Sequence, residues 1–392
     1  MLNDSVASWP SFTPEEREAV ARVLDSNRVN YWTGMECREF EKEFAKWVGS
    51  ARAVAVANGT LALDLALKAA EIGPGDEVIV TPRTFIASIS TVVNAGATPV
   101  FADIDRGSGN ISPETIIAVL TDKTRAIVPV HLGGWPCDMT GIMALAKIHG
   151  LFVLEDCAQA HGAKVDGQAV GSIGHVGAWS FCQDKIMTTG GEGGMVTTND
   201  PDLWARMWSF KDHGKSWDSV YNLKHSPGFR WLHETFGTNW RMLEMQAAIG
   251  RIQLKRMEEW TRQRTWVAER YRVMLAPFED AVRVPVPDRS LTHAYYRFYA
   301  YVRPEGLKAG WSRDRIVASV NALGVPLFHG SCSEVYLEKA FDGTGWRPAK
   351  PLPNARELGE TSLMFLTHPT LSDADVTRIC RSVERVFNEA AI

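Results

Sequence analysis

The sequence predicts an α/β protein with a mostly parallel central sheet. From about residue 50 to 200, short β-rich runs alternate with stretches of helical periodicity. This alternation is typical of a parallel sheet that helices cover on both faces, and ligands bind such sheets at the carboxyl ends of the strands. A chain of 392 residues is too long for one ordinary core, so we expect a second, smaller domain.

Seven strands are predicted in this region from short runs rich in apolar and β-branched residues. They are 52–57, 77–81, 98–102, 125–130, 151–155, 177–181 and 194–198. Between them, amphipathic or apolar segments predict helices at 60–71, 84–95, 112–120 and 138–149. The central layer of the fold is therefore expected before residue 200.

Beyond Pro201 the pattern changes. Residues 212–239 are polar and aromatic with little periodicity, which predicts a long loop. Residues 241–275 place apolar side chains at i, i+3 and i+4, which predicts one long helix or two joined helices.

The last part of the chain predicts a smaller α+β domain. Its signals are a strand over 296–302, a helix near 312–323 and a final helix from residue 373. We therefore divide the chain into a large domain, 1–255, and a small C-terminal domain, 256–392.

Composition excludes several classes of protein. The 42 basic and 46 acidic residues give a net charge of −4, which argues against a nucleic-acid partner. The six cysteines are scattered without metal-ligand spacing, which indicates reduced thiols and no metal site. The opening MLNDSVASWP lacks a signal-peptide pattern, and no apolar run could span a bilayer. We expect a cytoplasmic protein without a membrane partner.

The segment SFCQDKIMTTGGEGGMVTT (180–198) carries the strongest chemical signal. Lys185 follows a predicted strand and precedes a Gly-rich turn. A lone lysine is usually a solvated surface residue, but an apolar, Gly-rich setting at a strand's carboxyl end desolvates the amine. Desolvation lowers the pKa of a lysine and suits it to Schiff-base chemistry.

A carboxylate follows another predicted strand, in VLEDCAQAHGA (153–163). Asp156 ends the apolar run, and Gln159 comes three residues later. By itself Asp156 is best explained as the cap of the next helix. A candidate Schiff-base lysine some thirty residues later favours a different role, because pyridoxal 5'-phosphate (PLP) needs a carboxylate against its pyridine nitrogen.

Two further motifs have features that suit a phosphorylated, planar cofactor. In VANGTLALDLAL (56–67), a strand runs into Gly59 and Thr60 and then directly into a helix, whose free N–H groups can bind a phosphate. Ser180 could add a second hydroxyl. Phe85, after the strand at 77–81, could stack on a ring or face the core. No zinc cluster, Ser/His/Asp set or P-loop competes with this interpretation.

Six segments in order resemble the DegT/StrS family of PLP-dependent nucleotide-sugar aminotransferases, from about residue 10 to the C-terminus. They are GTLALDLAL, GATPVFADID, LEDCAQAHGA, SF…K…GEGGM, GTNWRMLEMQAAIG and SLMFLTHPTLSDADV. The resemblance implies the three-layer αβα fold of aspartate aminotransferase (fold type I), PLP as cofactor and pyridoxamine phosphate as its intermediate form.

The resemblance also implies roles around the cofactor. Lys185 matches the lysine bonded to PLP, Asp156 the partner of the pyridine nitrogen, and Gln159 the contact to the ring hydroxyl. Phe85 matches the aromatic that stacks on the ring. The phosphate contacts match Gly59, Thr60, Ser180 and, from the neighbouring subunit, Asn239. A homodimer with shared sites is therefore expected.

Substrate residues are carried over from the same resemblance or from local charge. Glu192, His213, His329 and His368 fall in segments that line the sugar pocket of this family. Lys215 and Arg230 belong to the densest cationic run near the expected dimer interface, and we expect them to bind a pyrophosphate.

The expected reaction moves an amino group from L-glutamate or glutamine to a keto-deoxysugar on a nucleoside diphosphate. The first choice of acceptor carbon is C4, for the synthesis of a polysaccharide or glycoside. A C3 ketone and a cyclitol ketone such as scyllo-inosose stay open as acceptors. A relative branch with His in place of the lysine dehydrates sugars, and Lys185 argues against that branch here. A PLP-fold regulatory protein is the alternative from another class.

Overall fold

The computed structural model describes residues 6–392. The first five residues of the MLNDSVASWP stretch, and with them the start of the predicted large domain, lie outside the described residues. In the described residues, no helix combines the length and the apolar character needed to cross a membrane.

The described chain contains the following helices and strands. The α-helices are α1 Pro14–Asp25, α2 Glu36–Val48, α3 Gly59–Ala69, α4 Ala87–Asn94, α5 Pro113–Ile117, α6 Met139–His149, α7 Pro201–Lys211, α8 Trp217–Tyr221, α9 Glu244–Leu275, α10 Arg313–Ala322, α11 Pro353–Thr361 and α12 Asp373–Ala390. The strands are β1 Arg52–Val56, β2 Glu77–Val80, β3 Thr98–Phe101, β4 Thr124–Val128, β5 Phe152–Asp156, β6 Lys164–Val165, β7 Gln168–Ala169, β8 Val176–Ser180, β9 Gly194–Thr198, β10 Val282–Arg283, β11 Leu291–Thr292, β12 Arg297–Val302 and β13 Ser362–Leu366.

The central sheet has seven strands in the order β1-β9-β8-β5-β4-β2-β3. Five neighbouring strands, β8 through β3 in that order, pair in parallel, and β9 alone runs antiparallel to both of its neighbours. All seven strands predicted from the sequence belong to this sheet. The predicted mixed α/β class with a mostly parallel sheet is therefore confirmed.

The strands at the middle of the sheet are apolar because both of their faces are covered. Every residue of β8 and β9 is buried, as are four of the five residues of β5. A strand buried on both faces shows a continuous apolar run rather than an alternating pattern, which is the signal found in the sequence. The carboxyl ends of these strands carry Asp156 and Ser180 to one edge of the sheet.

The region after β9 follows the predictions with one addition. The long loop at 212–239 contains the short helix α8, Trp217–Tyr221, which the lack of periodicity did not reveal. The segment 241–275 forms the single helix α9 of 32 residues, Glu244–Leu275, rather than two helices.

The C-terminal part builds a second, antiparallel sheet in the order β10-β12-β13. A separate apolar core forms here, in which the end of α9 packs with β12, β13, α10 and α12. The division of the chain at residue 255 stays a prediction, and it would fall inside α9. The start of β12 and the segment 330–332 face the carboxyl edge of the large sheet, where the cavity described next lies.

Candidate active site

A cavity of about 780 Å³ opens at the carboxyl edge of the large sheet. One wall comes from the ends of β5 and β8 and from the starts of α3 and α4, and the other from the C-terminal sheet. Eight residues predicted from the sequence line it: Gly59, Thr60, Phe85, Asp156, Gln159, Ser180, Lys185 and Glu192. Segments up to about 130 residues apart in the chain thus converge on one site.

Lys185 lies in the turn between β8 and β9. Its backbone N–H donates to the carbonyl oxygen of Cys182 at 3.1 Å, and its own carbonyl oxygen accepts a hydrogen bond from the indole of Trp9 at 2.8 Å. The ammonium Nζ lies 5.1 Å from the ring centroid of Tyr296. These two hydrogen bonds fix the backbone of the lysine, and its side chain lines the cavity.

Asp156, at the end of β5, is held by two hydrogen bonds. Oδ2 accepts from the Ser88 hydroxyl at 2.8 Å, and Oδ1 accepts from the backbone N–H of Ala158 at 3.1 Å. Thr84 lies 2.9 Å from the same serine oxygen and extends the network. The carboxylate is only 5% exposed, so these bonds fix its orientation toward the cavity. It suits a positively charged ring nitrogen as a partner.

Gln159 presents its amide nitrogen to the cavity. Its Oε1 accepts a 2.7 Å hydrogen bond from the backbone N–H of Gly133, and Nε2 makes no hydrogen bond within the described residues. Because the oxygen is engaged, the side chain can act as a donor toward a ligand oxygen.

The start of α3 forms a site for an anion together with Ser180. The helix begins at Gly59, and Asn58 caps it by accepting from the N–H of Leu61 at 3.0 Å. A Cβ at position 59 would lie 2.5 Å from Ser180 Cβ, so glycine allows the helix start to approach the end of β8. First-turn N–H groups and two hydroxyls, those of Thr60 and Ser180, then face the same volume.

Phe85 and Glu192 complete the predicted part of the wall. The phenyl ring of Phe85 is 70% exposed, which is unusual for such an apolar side chain and is expected of a surface that stacks on a planar ligand. The Glu192 carboxylate lies 3.9 Å from the Cys182 thiol at the opposite end of the turn that bears Lys185.

Sequence reasoning missed the residues that the small sheet contributes. Tyr296, Arg297 and the segment 330–332 line the cavity, but only the strand that begins near Tyr296 was predicted. The Tyr296 hydroxyl donates a short hydrogen bond to Asp184, the residue before the lysine. Burial, together with the nearby Asp184 carboxylate, raises the pKa of this phenol above its ordinary value. Local sequence patterns do not show which strand of a second sheet faces the site.

The loop residues predicted to bind substrate do not line this cavity. Lys215 forms an ion pair with the buried Asp212 at 3.3 Å, and Arg241 pairs with the same carboxylate at 2.7 Å. Arg230 is exposed and makes no hydrogen bond or ion pair within the described residues. His213 has a φ of 61° and pairs with Thr238 through its backbone.

Asn239 lies next to this loop, opposite Asp212 in a backbone bridge. The side chain is exposed and makes no hydrogen bond within residues 6–392. Trp240, the next residue, accepts a backbone hydrogen bond from Ala57, just before the anion site of the same chain. Asn239 does not line the cavity of its own chain.

The two histidines predicted in the C-terminal part lie near the cavity but outside its lining. His329 is exposed and lies 3.3 Å from the Asp314 carboxylate. His368 is buried, stacks on Trp9 with centroids 6.3 Å apart, and lies 2.8 Å from the Thr370 hydroxyl. Burial, with Arg264 and Arg297 nearby, lowers the pKa of His368 to about 3, so this imidazole is neutral.

A cluster of His131, Glu155 and Cys157 below the sheet edge has metal-ligand residue types. Its polar atoms are already engaged: Glu155 accepts from the N–H groups of Gly171, Ile173 and Gly174 and lies 3.1 Å from His131 Nε2. The other ring nitrogen of His131 accepts from the N–H of Cys137. The cluster is accounted for as a structural hydrogen-bond network.

Comparison with known proteins supports a catalytic assignment of this cavity. The sequence profile of the DegT/DnrJ/EryC1/StrS aminotransferase family matches residues 10–384. GDP-perosamine synthase of Caulobacter vibrioides is 38% identical over 387 residues, 98% of each chain. A UDP-N-acetyl-3-dehydro-alpha-D-glucosamine 3-aminotransferase of Acidithiobacillus ferrooxidans is 35% identical, over 98% of this chain and 97% of its own.

The solved structures agree. An aminotransferase from Psychrobacter cryohalolentis is 63% identical to this chain, with a TM-score of 0.97 over 98% of this chain and 99% of the other. The backbone described above is therefore closely similar to that of a crystallised aminotransferase over 98% of its length.

Proposed function

The chain belongs to the DegT/DnrJ/EryC1/StrS aminotransferase family, and on that premise we propose that it is a PLP-dependent sugar aminotransferase. The amino donor is L-glutamate or glutamine, and the acceptor is a keto-deoxysugar linked to a nucleoside diphosphate. The observation that carries the proposal is the convergence of Lys185, Asp156 and the start of α3 on one cavity.

The lining residues fit PLP at each of its functional groups. The N-terminus of α3, with Thr60 and Ser180, suits the phosphate. Asp156, held by Ser88, suits a protonated pyridine nitrogen, and the free Nε2 of Gln159 suits the ring hydroxyl. Lys185 lines the same cavity, and its amine would hold the aldehyde carbon of the cofactor.

The exposed phenyl ring of Phe85 supports the same fit. A planar heterocycle stacked on it would cover an apolar side chain that is 70% exposed. This is the feature least explained by a purely structural role, because a core residue would be buried.

The chemistry divides between the cofactor and the chain. When bound, PLP supplies an electron-withdrawing ring through which an amine can pass from one carbonyl compound to another. Asp156 keeps the ring nitrogen charged, and Ser88 and the Ala158 N–H keep Asp156 in place. Lys185 holds the cofactor and, when its amine is free, acts as the general acid and base at the substrate carbon.

A sugar acceptor is favoured by the relatives and by the space available. The C. vibrioides relative is a GDP-perosamine synthase, and the A. ferrooxidans relative acts on a UDP-linked 3-dehydro sugar. A volume of about 780 Å³ lies well within the range of small-molecule sites and exceeds the needs of the cofactor alone. We propose C4 as the acceptor carbon, with C3 or a cyclitol ketone as the alternative.

The nucleotide is proposed to extend toward the 212–239 loop of a neighbouring subunit. Arg230 and Lys224 are exposed cations there, and Arg230 is flanked by the exposed rings of Phe229 and Trp231. Lys215 is a weaker candidate than its charge suggests, because its side chain is only 17% exposed and its ammonium is paired with Asp212. Glu192, in the wall beside Lys185, is proposed to contact the sugar.

Replacing the lysine tests the proposal directly. The wild-type protein incubated with PLP should absorb visible light, and L-glutamate should abolish that absorbance. Lys185→Ala should show neither the absorbance nor turnover, whereas Lys164→Ala, an exposed lysine on β6, should match the wild type. Amine transfer should then be assayed against GDP-, UDP- and dTDP-linked keto-sugars and scyllo-inosose. Full activity of Lys185→Ala would contradict the proposal.

A further inference from the structure

Arg297 contributes a cation to the cavity that the roles proposed above leave unused. It is the first residue of β12, and its side chain is 11% exposed. The guanidinium carbon lies 4.1 Å from the ring centroid of Tyr296, on which it stacks. A stacked arginine is held in one orientation, as a residue that recognises a ligand must be.

The charges around the cavity single out this residue. Among the described residues that line it, the cations are Lys185 and Arg297, and the carboxylates are Asp156, Asp184 and Glu192. A lysine bonded to a cofactor through its amine no longer offers a free ammonium group. Arg297 is then the remaining fixed cation of the wall.

The charged groups of Arg297 and Lys185 both lie near the aromatic ring of Tyr296. The lysine Nζ is 5.1 Å from the Tyr296 centroid and the guanidinium carbon 4.1 Å from it. The two charged groups therefore cannot be farther apart than these two distances combined. An amino acid whose amine reaches Lys185 brings its carboxylates into this range, because the α-carboxylate is bonded to the carbon that carries the amine.

The guanidinium retains capacity for such a ligand. Nη1 donates to the carbonyl oxygen of Tyr296 at 3.0 Å, and Nη2 lies 3.4 Å from the Tyr296 hydroxyl oxygen and 3.4 Å from Asp184 Oδ2. The contact with Asp184 is long for a charge-assisted bond, and Asp184 is 53% exposed. Nε makes no hydrogen bond within residues 6–392. A carboxylate with better geometry can thus compete with Asp184.

We propose that Arg297 binds a carboxylate of the amino donor, an inference that rests on the proposed aminotransferase function. The sugar acceptor is a poorer partner for this site. Its pyrophosphate is attached at C1, several bonds from the ketone that must approach Lys185, while its hydroxyls carry no charge. Arg297 is accordingly a residue of the donor half of the reaction and not of the acceptor half.

The test uses the variant Arg297→Gln and measures the reaction with the amino donor separately from the reaction with the sugar acceptor. In rapid mixing with L-glutamate, the variant should show a Kd raised by roughly 10- to 100-fold, the effect of losing a hydrogen-bonded charge partner. Calorimetric binding of 2-oxoglutarate to the pyridoxamine-phosphate form should weaken similarly. Single turnover of that form with the keto-sugar should stay within about threefold of the wild type, since uncharged contacts are unaffected.

Two further variants make the result interpretable. Arg297→Lys keeps the charge without the planar fork and should bind donor with intermediate affinity. Arg283→Gln removes an arginine that stacks on Tyr301 in the same small sheet, outside the cavity lining, and should behave as the wild type.

The outcomes distinguish this inference from the proposed function. If the wild type reacts with neither glutamate nor glutamine, the proposed function fails. If the wild type reacts and Arg297→Gln keeps its affinity for glutamate and 2-oxoglutarate, only the inference is overturned. Equal weakening of both halves would also overturn it, because Arg297 would then act by positioning Asp184 and the lysine turn.

Discussion

At the scale of single residues, the imidazole of His161 is fully buried and close enough to Lys185 for the two to interact electrostatically. Among the described residues, neither ring nitrogen has a hydrogen-bond partner, and the ring packs against Trp179 and Phe181 at centroid distances of 5.1 and 5.6 Å. Burial, followed by the charges of Lys185 and Arg264, lowers the pKa of His161 to about 3 from an ordinary 6.5. The imidazole is therefore neutral at pH 7.

This shift predicts a loss of stability in acid. Between pH 6.5 and 3 the unfolded chain binds a proton at His161 that the native state rejects, so the free energy of unfolding falls as pH falls through this window. From pH 6.5 to 5 one such histidine removes about 2 kcal/mol. Urea unfolding at pH 7.5 and 5.0 should show a smaller difference for His161→Phe than for the wild type.

The control for this prediction is His149→Phe, at the exposed end of α6. It should keep the pH dependence of the wild type. An unchanged difference in His161→Phe would show that other groups carry the acid sensitivity, with His293 and His368, whose pKa values are also lowered to about 3, as the next candidates.

At the scale of elements, the contact between the start of α3 and the end of β8 determines the anion site. Gly59→Ala would place a Cβ 2.5 Å from Ser180 Cβ, which forces the helix and strand apart. We expect a loss of about 1–3 kcal/mol in stability, as in other overpacked cores, and weaker binding of PLP. Differential scanning fluorimetry and a PLP titration measure the two effects.

Gly73→Ala is the matched substitution, because its Cβ would meet only the Ala95 carbonyl oxygen at an ordinary 3.7 Å. It should change neither property appreciably. Unaltered PLP affinity in Gly59→Ala would mean that the phosphate binds elsewhere in the cavity.

Elements were predictable from the sequence where local composition alone determines them. The strands β5, β8 and β9 are buried on both faces and are therefore continuous apolar runs, and their carboxyl ends carry Asp156 and Ser180. The loop cations were less predictable. A run of basic residues predicts a positive surface, but the ammonium of Lys215 is paired with the buried Asp212, three residues earlier.

At the scale of the whole molecule, the cavity exists because distant segments close over the sheet edge. Trp9 reaches the Lys185 carbonyl oxygen across 176 positions, and Tyr296 reaches Asp184 across 112. Periodicity and propensity describe neighbours in sequence, so they do not indicate such contacts. This explains why Arg297 and segment 330–332 were missed while residues of the large sheet that line the cavity, such as Asp156 and Ser180, were predicted.

The surface around Asn239 also concerns the whole molecule, because the side chain of Asn239 has no hydrogen-bond partner within the described part of its own chain. It is exposed, makes no hydrogen bond within residues 6–392, and lies in a loop region with the exposed rings of Phe229, Trp231 and Phe236. Apolar groups exposed together are typical of a surface that a second subunit covers. We predict a homodimer in which Asn239 of each subunit reaches the phosphate site of the other.

Mixing two inactive variants tests this arrangement. Asn239→Trp blocks the partner's phosphate site and Lys185→Ala removes the lysine, so each homodimer should be inactive. A mixed dimer keeps one intact site, formed by Lys185 of one subunit and Asn239 of the other. Equal amounts, refolded together, should recover about a quarter of wild-type activity, since half of the dimers are mixed and each has one site of two. If Asn239 served its own chain, no mixed dimer would contain an intact site and the mixture would stay inactive. Sedimentation of the wild type as an active monomer would contradict the prediction independently of the mixing experiment.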